Sequence, residues 1–127
     1  MSSAYAARRP VVLIVEDEFM IRLNATQMIV EAEFDVVEAS NADEAIAILE
    51  ARSDITILFT DIQMPGSMDG LKLAAAVKRR WPPIKIVATS GLVEIPPDDL
   101  PEGGRFLPKP YDPVQLTLTL RELALRP

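Results

Sequence analysis

Ile55-Thr56-Ile57-Leu58-Phe59-Thr60-Asp61 is an apolar run that stops on a carboxylate, and the turn Met64-Pro65-Gly66-Ser67-Met68-Asp69-Gly70 follows it closely. A run of that length, bounded by Pro and Gly, predicts a buried strand presenting Asp61 at its carboxyl end. Two further runs share the pattern: Val11 to Val15 ends on Glu16-Asp17, and Ile84 to Ala88 ends on Thr89-Ser90-Gly91. The shorter Phe106-Leu107-Pro108 ends on Lys109-Pro110, and Phe34 to Glu38 reads as one more short strand. Acids, a hydroxyl and an ammonium therefore stand at the ends of separate strands.

Helices alternate with these strands. Between Glu18 and Ala32, apolar residues at Ile21, Ala25, Met28, Ile29 and Ala32 form a helical stripe. Asn41 can cap a second helix, with Glu44 placed to reach back to it and Ala45, Ile46 and Leu49 inward. A third runs from Leu71 to Trp81 with Leu73, Ala74 and Val77 inward; Asp69 caps it and Pro82-Pro83 stops it. Pro96, Pro97, Pro101, Gly103 and Gly104 then crowd the stretch from Leu92 to Arg105, leaving room for a turn or so of helix at most. The last helix has Asp112 as N-cap, Pro113 at its first position and Gln115 three residues after the cap, and runs to about Leu125.

Near-continuous apolar strands alternating with helices imply a parallel sheet covered on both faces, an α/β fold. The expected architecture is flavodoxin-like, a doubly wound five-stranded sheet of order 2-1-3-4-5 with the fourth crossover helix shortened or replaced by a loop. Ligands in such sheets sit beyond the carboxyl ends of the strands where strand order reverses, here between the strands ending in Glu16-Asp17 and Asp61. In this order the fifth strand is an edge, where Pro108 is tolerated.

At 127 residues the chain suits one domain, expected over residues 11–127 behind a flexible tail of residues 1–10, with no attached output module. The formal net charge of -6 argues against direct binding to nucleic acid or an anionic membrane, both of which need a cationic footprint. No stretch is apolar enough to cross a bilayer or serve as a signal peptide, and the absence of cysteine fits a reducing cytoplasm. The absence of histidine excludes Ser-His-Asp catalysis, His-ligated zinc and a phosphohistidine donor within this chain. Any metal must be a hard cation held by oxygen atoms.

Three converging carboxylates repel one another at neutral pH, and a bound Mg2+ is the simplest compensation. Such an ion would neutralise a phosphoryl group and hold it in line with a carboxylate, with Lys109 and the Ser90 hydroxyl on the remaining phosphoryl oxygens.

Leu13-Ile14-Val15-Glu16-Asp17-Glu18, Thr60-Asp61-Ile62-Gln63-Met64-Pro65, Ala88-Thr89-Ser90-Gly91 and Phe106-Leu107-Pro108-Lys109-Pro110-Tyr111 together resemble the receiver domain of bacterial two-component response regulators. The resemblance covers Val11 to Leu125, the length suits a stand-alone CheY-like receiver, and a weaker likeness links the broken segment and the Lys109-Pro110-Tyr111 ending to stand-alone receivers of alpha-proteobacteria. It implies that Asp61 accepts a phosphoryl group from a sensor histidine kinase or a histidine phosphotransfer protein. It also implies that Asp17, Asp61 and the Gln63 backbone carbonyl coordinate Mg2+ directly, with Glu16 acting through water. Ser90 and Lys109 would contact the phosphoryl group, and the Lys109-Pro110 bond would be cis. Phe106 takes the place of the switch aromatic, often tyrosine, so switching there must act through ring burial or the residue is simply core. Gln63 and Leu92 flank the acceptor and are expected to tune the lifetime of the phosphorylated state.

Signalling would then run through a downstream protein partner or by draining phosphoryl groups from a shared kinase. The last helix carries Leu116, Leu120 and Leu123 on one side and Val114, Leu118 and Leu125 nearly opposite. That second side reads either as a partner or homodimer contact or as ordinary scattered exposed leucines. The rival chemistry is a small Mg2+-dependent phosphohydrolase with Asp61 as nucleophile, whose general-acid position two residues on is here Gln63.

Overall fold

A computed structural model describes residues 9–92 and 95–125. Five strands, β1 (Val11–Val15), β2 (Asp35–Ala39), β3 (Ile55–Asp61), β4 (Lys85–Ser90) and β5 (Arg105–Pro108), pair in parallel in the order β2-β1-β3-β4-β5. The crossovers are α1 (Phe19–Glu31), α2 (Ala42–Ala51) and α3 (Gly70–Arg80), and α4 (Pro113–Ala124) follows β5. Where the crossover between β4 and β5 would carry a helix, the described residues hold one 3-10 turn, Pro97–Asp99. Prolines and glycines on both sides of it remove the donors and the conformational restraint a longer helix needs. Leu100, buried against Ile62 and Ala88, ties this segment to the domain and is joined by Ile95, Leu71 and Phe106.

The helix starts are local chemistry. Asn41 Oδ1 accepts from Glu44 N–H, and the Glu44 carboxylate reaches one residue further back than expected, to the N–H and hydroxyl of Ser40. Asp69 accepts from Lys72 N–H and Asp112 from Val114 N–H. Each satisfies a first-turn donor that has no partner within its own helix.

Two apolar layers cover the sheet. Val11, Leu13 and Val15 pack toward α2 and α3 with Leu73, Ala74 and Val77, whereas Val12 and Ile14 pack toward α1 and α4 with Ile29, Leu116, Leu120 and Leu123. In β1 the layers alternate residue by residue, as a strand requires. In β3 they do not: Ile55 and Leu58 share the first layer, and Ile57 and Phe59 the second. The register explains this, since Val11 pairs with Ile55 but Val12 with Ile57, leaving Thr56 as an extra residue whose Oγ1 accepts from Val11 N–H at 3.4 Å. This bulge resets the facing of every later residue in β3, Asp61 included.

The tail expected over residues 1–10 lies outside the described residues except for Arg9 and Pro10, and the Pro10 carbonyl accepts from Asp35 N–H at 3.0 Å. No helix among the described residues is long and apolar enough to cross a membrane. On α4 the two sides are as expected: Leu116, Leu120 and Leu123 are buried, and Val114, Leu118 and Leu125 are exposed.

Candidate functional site

The carboxyl ends of β1, β3, β4 and β5 bring the predicted residues together. Glu16 continues the β1 ladder through its N–H to the Ala39 carbonyl, and burial of the strand takes its side chain to 2% exposure. Its two carboxylate oxygens are both engaged: Oε1 accepts from Lys109 Nζ at 2.7 Å and Oε2 from Glu18 N–H at 3.1 Å. Asp17 is exposed, and Asp61, the last residue of β3, is buried. One carboxylate oxygen from each of Glu16, Asp17 and Asp61 lies within 4.8 Å of the other two. Lys109, carried by the segment after β5, lies 3.2 Å from Asp61 Oδ1, at ion-pair distance. That oxygen is buried and receives no well-aligned hydrogen bond.

Electrostatics follow from this packing. Burial pushes the Asp61 carboxyl above its usual range, and neighbouring Asp17 adds to the rise, against the opposing pull of Lys109 and the Gln63 backbone N–H. Burial likewise raises Glu16, with Asp61 adding to the effect and the Lys109 and Glu18 hydrogen bonds opposing it. Burial alone would lower Lys109, but Glu16 and Asp61 outweigh it and hold the ammonium above its ordinary value. With carboxylate oxygens no more than 4.8 Å apart, Glu16 and Asp61 when both charged would repel by about 3.5 kcal/mol or more at an effective dielectric of about 20. Three carboxylates against one ammonium leave a formal charge of -2, which one divalent cation would cancel. All the donors are hard oxygens, so the cluster could hold a hard ion such as Mg2+.

Ser90 ends β4 and is 2% exposed. Its hydroxyl donates to Gln63 Oε1 at 2.6 Å, and its Oγ accepts from Leu92 N–H at 3.1 Å. Its backbone carbonyl accepts from Lys109 N–H at 3.0 Å, tying the ends of β4 and β5 together. Gln63 is exposed and reaches Ser90 from the end of β3. Phe106 is half-buried against the Ile62, Ala88 and Leu100 cluster, between the core and switch placements. Glu18 occupies the N-cap position of α1 and makes no side-chain capping bond. The Lys109-Pro110 peptide bond is cis.

Four supports of the site make contacts that the sequence did not specify. Arg22 donates to the Glu16 carbonyl at 2.8 Å while pairing with Glu38 at 2.9 Å, and so anchors the turn after β1. Tyr111 is buried edge-on against Phe59, with ring centroids 5.4 Å apart. The Gln63 amide holds Ser90. Gly70 starts α3 against the backbone of Asp61, with its N–H on the Ile62 carbonyl. Gln63 and Tyr111 stood out only through the family resemblance and Gly70 only as a glycine directly after a cap residue, while Arg22 left no trace.

A family model described as a response regulator receiver domain matches residues 12–121. The chain is 34% identical over 116 residues to the sensor kinase CckA of Brucella abortus (strain 2308), covering 88% of this chain and 12% of that protein. It is 35% identical over 127 residues to the aerobic respiration control protein ArcA of Escherichia coli (strain K12), covering 92% of this chain and 49% of that protein. The chain thus spans half or less of these curated relatives. Among solved structures it is similar to a response regulator receiver protein from Sinorhizobium medicae WSM419, with TM-score 0.83 and 25% identity over 91% of this chain and 94% of that one. The receiver domain of the hybrid histidine kinase CckA matches with TM-score 0.76 and 29% identity over 89% and 97%.

Proposed function

Since the chain belongs to the response regulator receiver domain family, we propose that Asp61 is its phosphoryl acceptor in a two-component phosphorelay. The observation that carries this is the buried Asp61 carboxylate, flanked by Glu16, Asp17 and Lys109 at the reversal point of the sheet. In the transfer, an Asp61 oxygen attacks the phosphorus of a phosphohistidine on a sensor kinase or phosphotransfer protein. The N–P bond breaks with its electron pair left on the imidazole, and the new P–O bond makes an acyl phosphate. Lys109, already 3.2 Å from Asp61 Oδ1, is placed to take a phosphoryl oxygen, and Ser90 is the hydroxyl for another.

Asp17, Asp61 and the Gln63 backbone carbonyl would hold Mg2+, and Glu16, with both oxygens already taken by Lys109 and Glu18, suits a position behind a water molecule. Bound there, the ion supplies charge neutralisation for the carboxylates and the incoming phosphoryl oxygens. The chain's own residues orient the acceptor and keep it dry. In this reading the protein is not an enzyme in the ordinary sense, since it modifies and restores only itself.

Incubation with a small phosphodonor and Mg2+, followed by intact mass, tests the proposal. A single phosphoryl adduct is expected on the parent and none on Asp61→Asn. Multiple turnover of a phosphate ester without an adduct would instead favour the phosphohydrolase.

The kinship with kinase-borne and regulator-borne receivers supports a kinase or phosphotransfer partner, and the output passes to a further protein in this reading. If two copies pair through the exposed Val114, Leu118 and Leu125 side of α4, Leu118→Glu should weaken that pairing tenfold or more (about 1.4 kcal/mol), because it brings a charge into an apolar contact. Equal sedimenting masses for variant and parent, phosphorylated or not, would remove this mode of pairing.

A further inference from the structure

Ser90 has one hydroxyl proton, and it is already committed. The Oγ donates it to Gln63 Oε1 at 2.6 Å, at the short end of hydrogen-bond distances, while the lone pairs of the same oxygen accept from Leu92 N–H at 3.1 Å. A serine hydroxyl donates one hydrogen bond at a time. It cannot serve Gln63 and a phosphoryl oxygen on Asp61 together.

We propose that the Gln63 side chain is a positioning residue that withholds the Ser90 hydroxyl from Asp61, so that transfer of the hydroxyl to a phosphoryl group releases both Gln63 and the Leu92 N–H. This rests on the phosphoacceptor reading and gives it a specific means of regulation. Three further observations support it. Ser90 is almost wholly buried, so its hydroxyl has little water to turn to once Gln63 lets go. Gln63 is exposed, so it can swing into solvent without loss of packing. Leu92 is 80% exposed, so its side chain does little to hold the backbone there, and the bond from its N–H to Ser90 is a local anchor. The amide of Gln63 thus opposes the engaged state, and the same hydroxyl links acceptor occupancy to the Leu92 N–H.

A neutral hydrogen bond of this kind shifts an equilibrium by about 2- to 10-fold. Gln63→Met keeps the length of the side chain and removes the acceptor. With Mg2+ and beryllofluoride as the phosphoryl mimic, its binding should tighten by about 2- to 10-fold relative to the parent. In a Ser90→Ala background the same Gln63→Met change should have no effect, because the group it acts through is gone. A second reading needs no ligand: amide exchange at Leu92 should quicken in Ser90→Ala, which removes the acceptor, and also in Gln63→Met, which lets the hydroxyl turn. Equal effects of Gln63→Met with and without Ser90, or unchanged Leu92 exchange in both single variants, would overturn the proposal. If the parent takes up neither the mimic nor a phosphoryl group, the phosphoacceptor reading falls and this proposal with it. If the parent binds and Gln63→Met binds equally, only the withholding role falls.

Discussion

Lys109→Met is expected to be less stable than the parent by about 2–4 kcal/mol at neutral pH in the absence of divalent cations, and to recover most of that on acidification. Removing one partner of a buried ion pair leaves the other charge uncompensated, typically at about 3–5 kcal/mol. Here Glu16 and Asp61 are both left so, at side-chain exposures of 3% and 6%. The cost falls below the full range because Lys109 is itself 17% exposed and the carboxyls can take up protons.

The sign of the pH dependence follows from the direction of the shifts. Glu16 and Asp61 have folded pKa values above their unfolded ones, so the folded state binds more protons over the window between them. Stability from these groups is present below the ordinary carboxylate range and is lost as pH rises through the raised values. Without Lys109 both values climb further and the loss steepens. Lys109 itself, raised above its ordinary value, contributes stability that is lost only in the alkaline range. Urea unfolding at about pH 5 and about pH 7.5 checks this, and thermal unfolding should show a Tm lower than the parent's by roughly 6–15 °C at the higher pH. Mg2+ should narrow the gap. An equal loss of stability at both pH values would show that Lys109 acts through packing and not through its charge.

Gly70→Ala is the second large effect. A Cβ at Gly70 would overlap the Asp61 carbonyl oxygen and come within 2.8 Å of its carbon and of Ile62 Cα. No rotamer relieves a clash between a Cβ and backbone, so either α3 or the end of β3 must move. Overpacking of a core ordinarily costs about 1–3 kcal/mol, and here nothing flexible can yield, so the expected loss is about 3 kcal/mol or more. Because the atoms struck include the backbone of Asp61, its carboxylate moves with them. Displacements near 1 Å in such sites cost on the order of 100-fold in rate, so adduct formation from a small phosphodonor should slow by roughly that factor in whatever fraction stays folded. A variant within about 1 kcal/mol of the parent and modified at the same rate would show that α3 docks loosely against the site, contrary to the contacts described.

The placement of the candidate site was legible because each of its groups ends an apolar run. Glu16-Asp17, Asp61 and Ser90 follow stretches whose only good solution is a buried strand, and a parallel sheet puts all such ends on one edge. The caps Asn41, Asp69 and Asp112 were legible for a similar reason, since each acts on backbone two or three residues away. The breaker density after Leu92 likewise predicted the short 3-10 turn actually present. Strand limits shifted by a residue or two: β4 runs on to Ser90 and β2 begins after Phe34, because ladder pairing and not hydropathy sets where a strand ends.

What the chain determines by itself is therefore local or periodic: five apolar runs, their polar ends, the helix starts, and a composition without histidine or cysteine that leaves their chemistry out of this chain. Tertiary structure decided which of those ends touch. Lys109 pairs with Glu16, 93 positions away, more closely than with Asp61. A one-residue bulge at Thr56 turns Asp61 to its side of the sheet, Gly70 allows α3 to reach the Asp61 backbone, and Gln63 reaches across to hold Ser90. None of these has a signature in hydropathy or spacing. Each depends on how closely two backbones approach, and that distance is settled by the packing of the whole sheet and its helices.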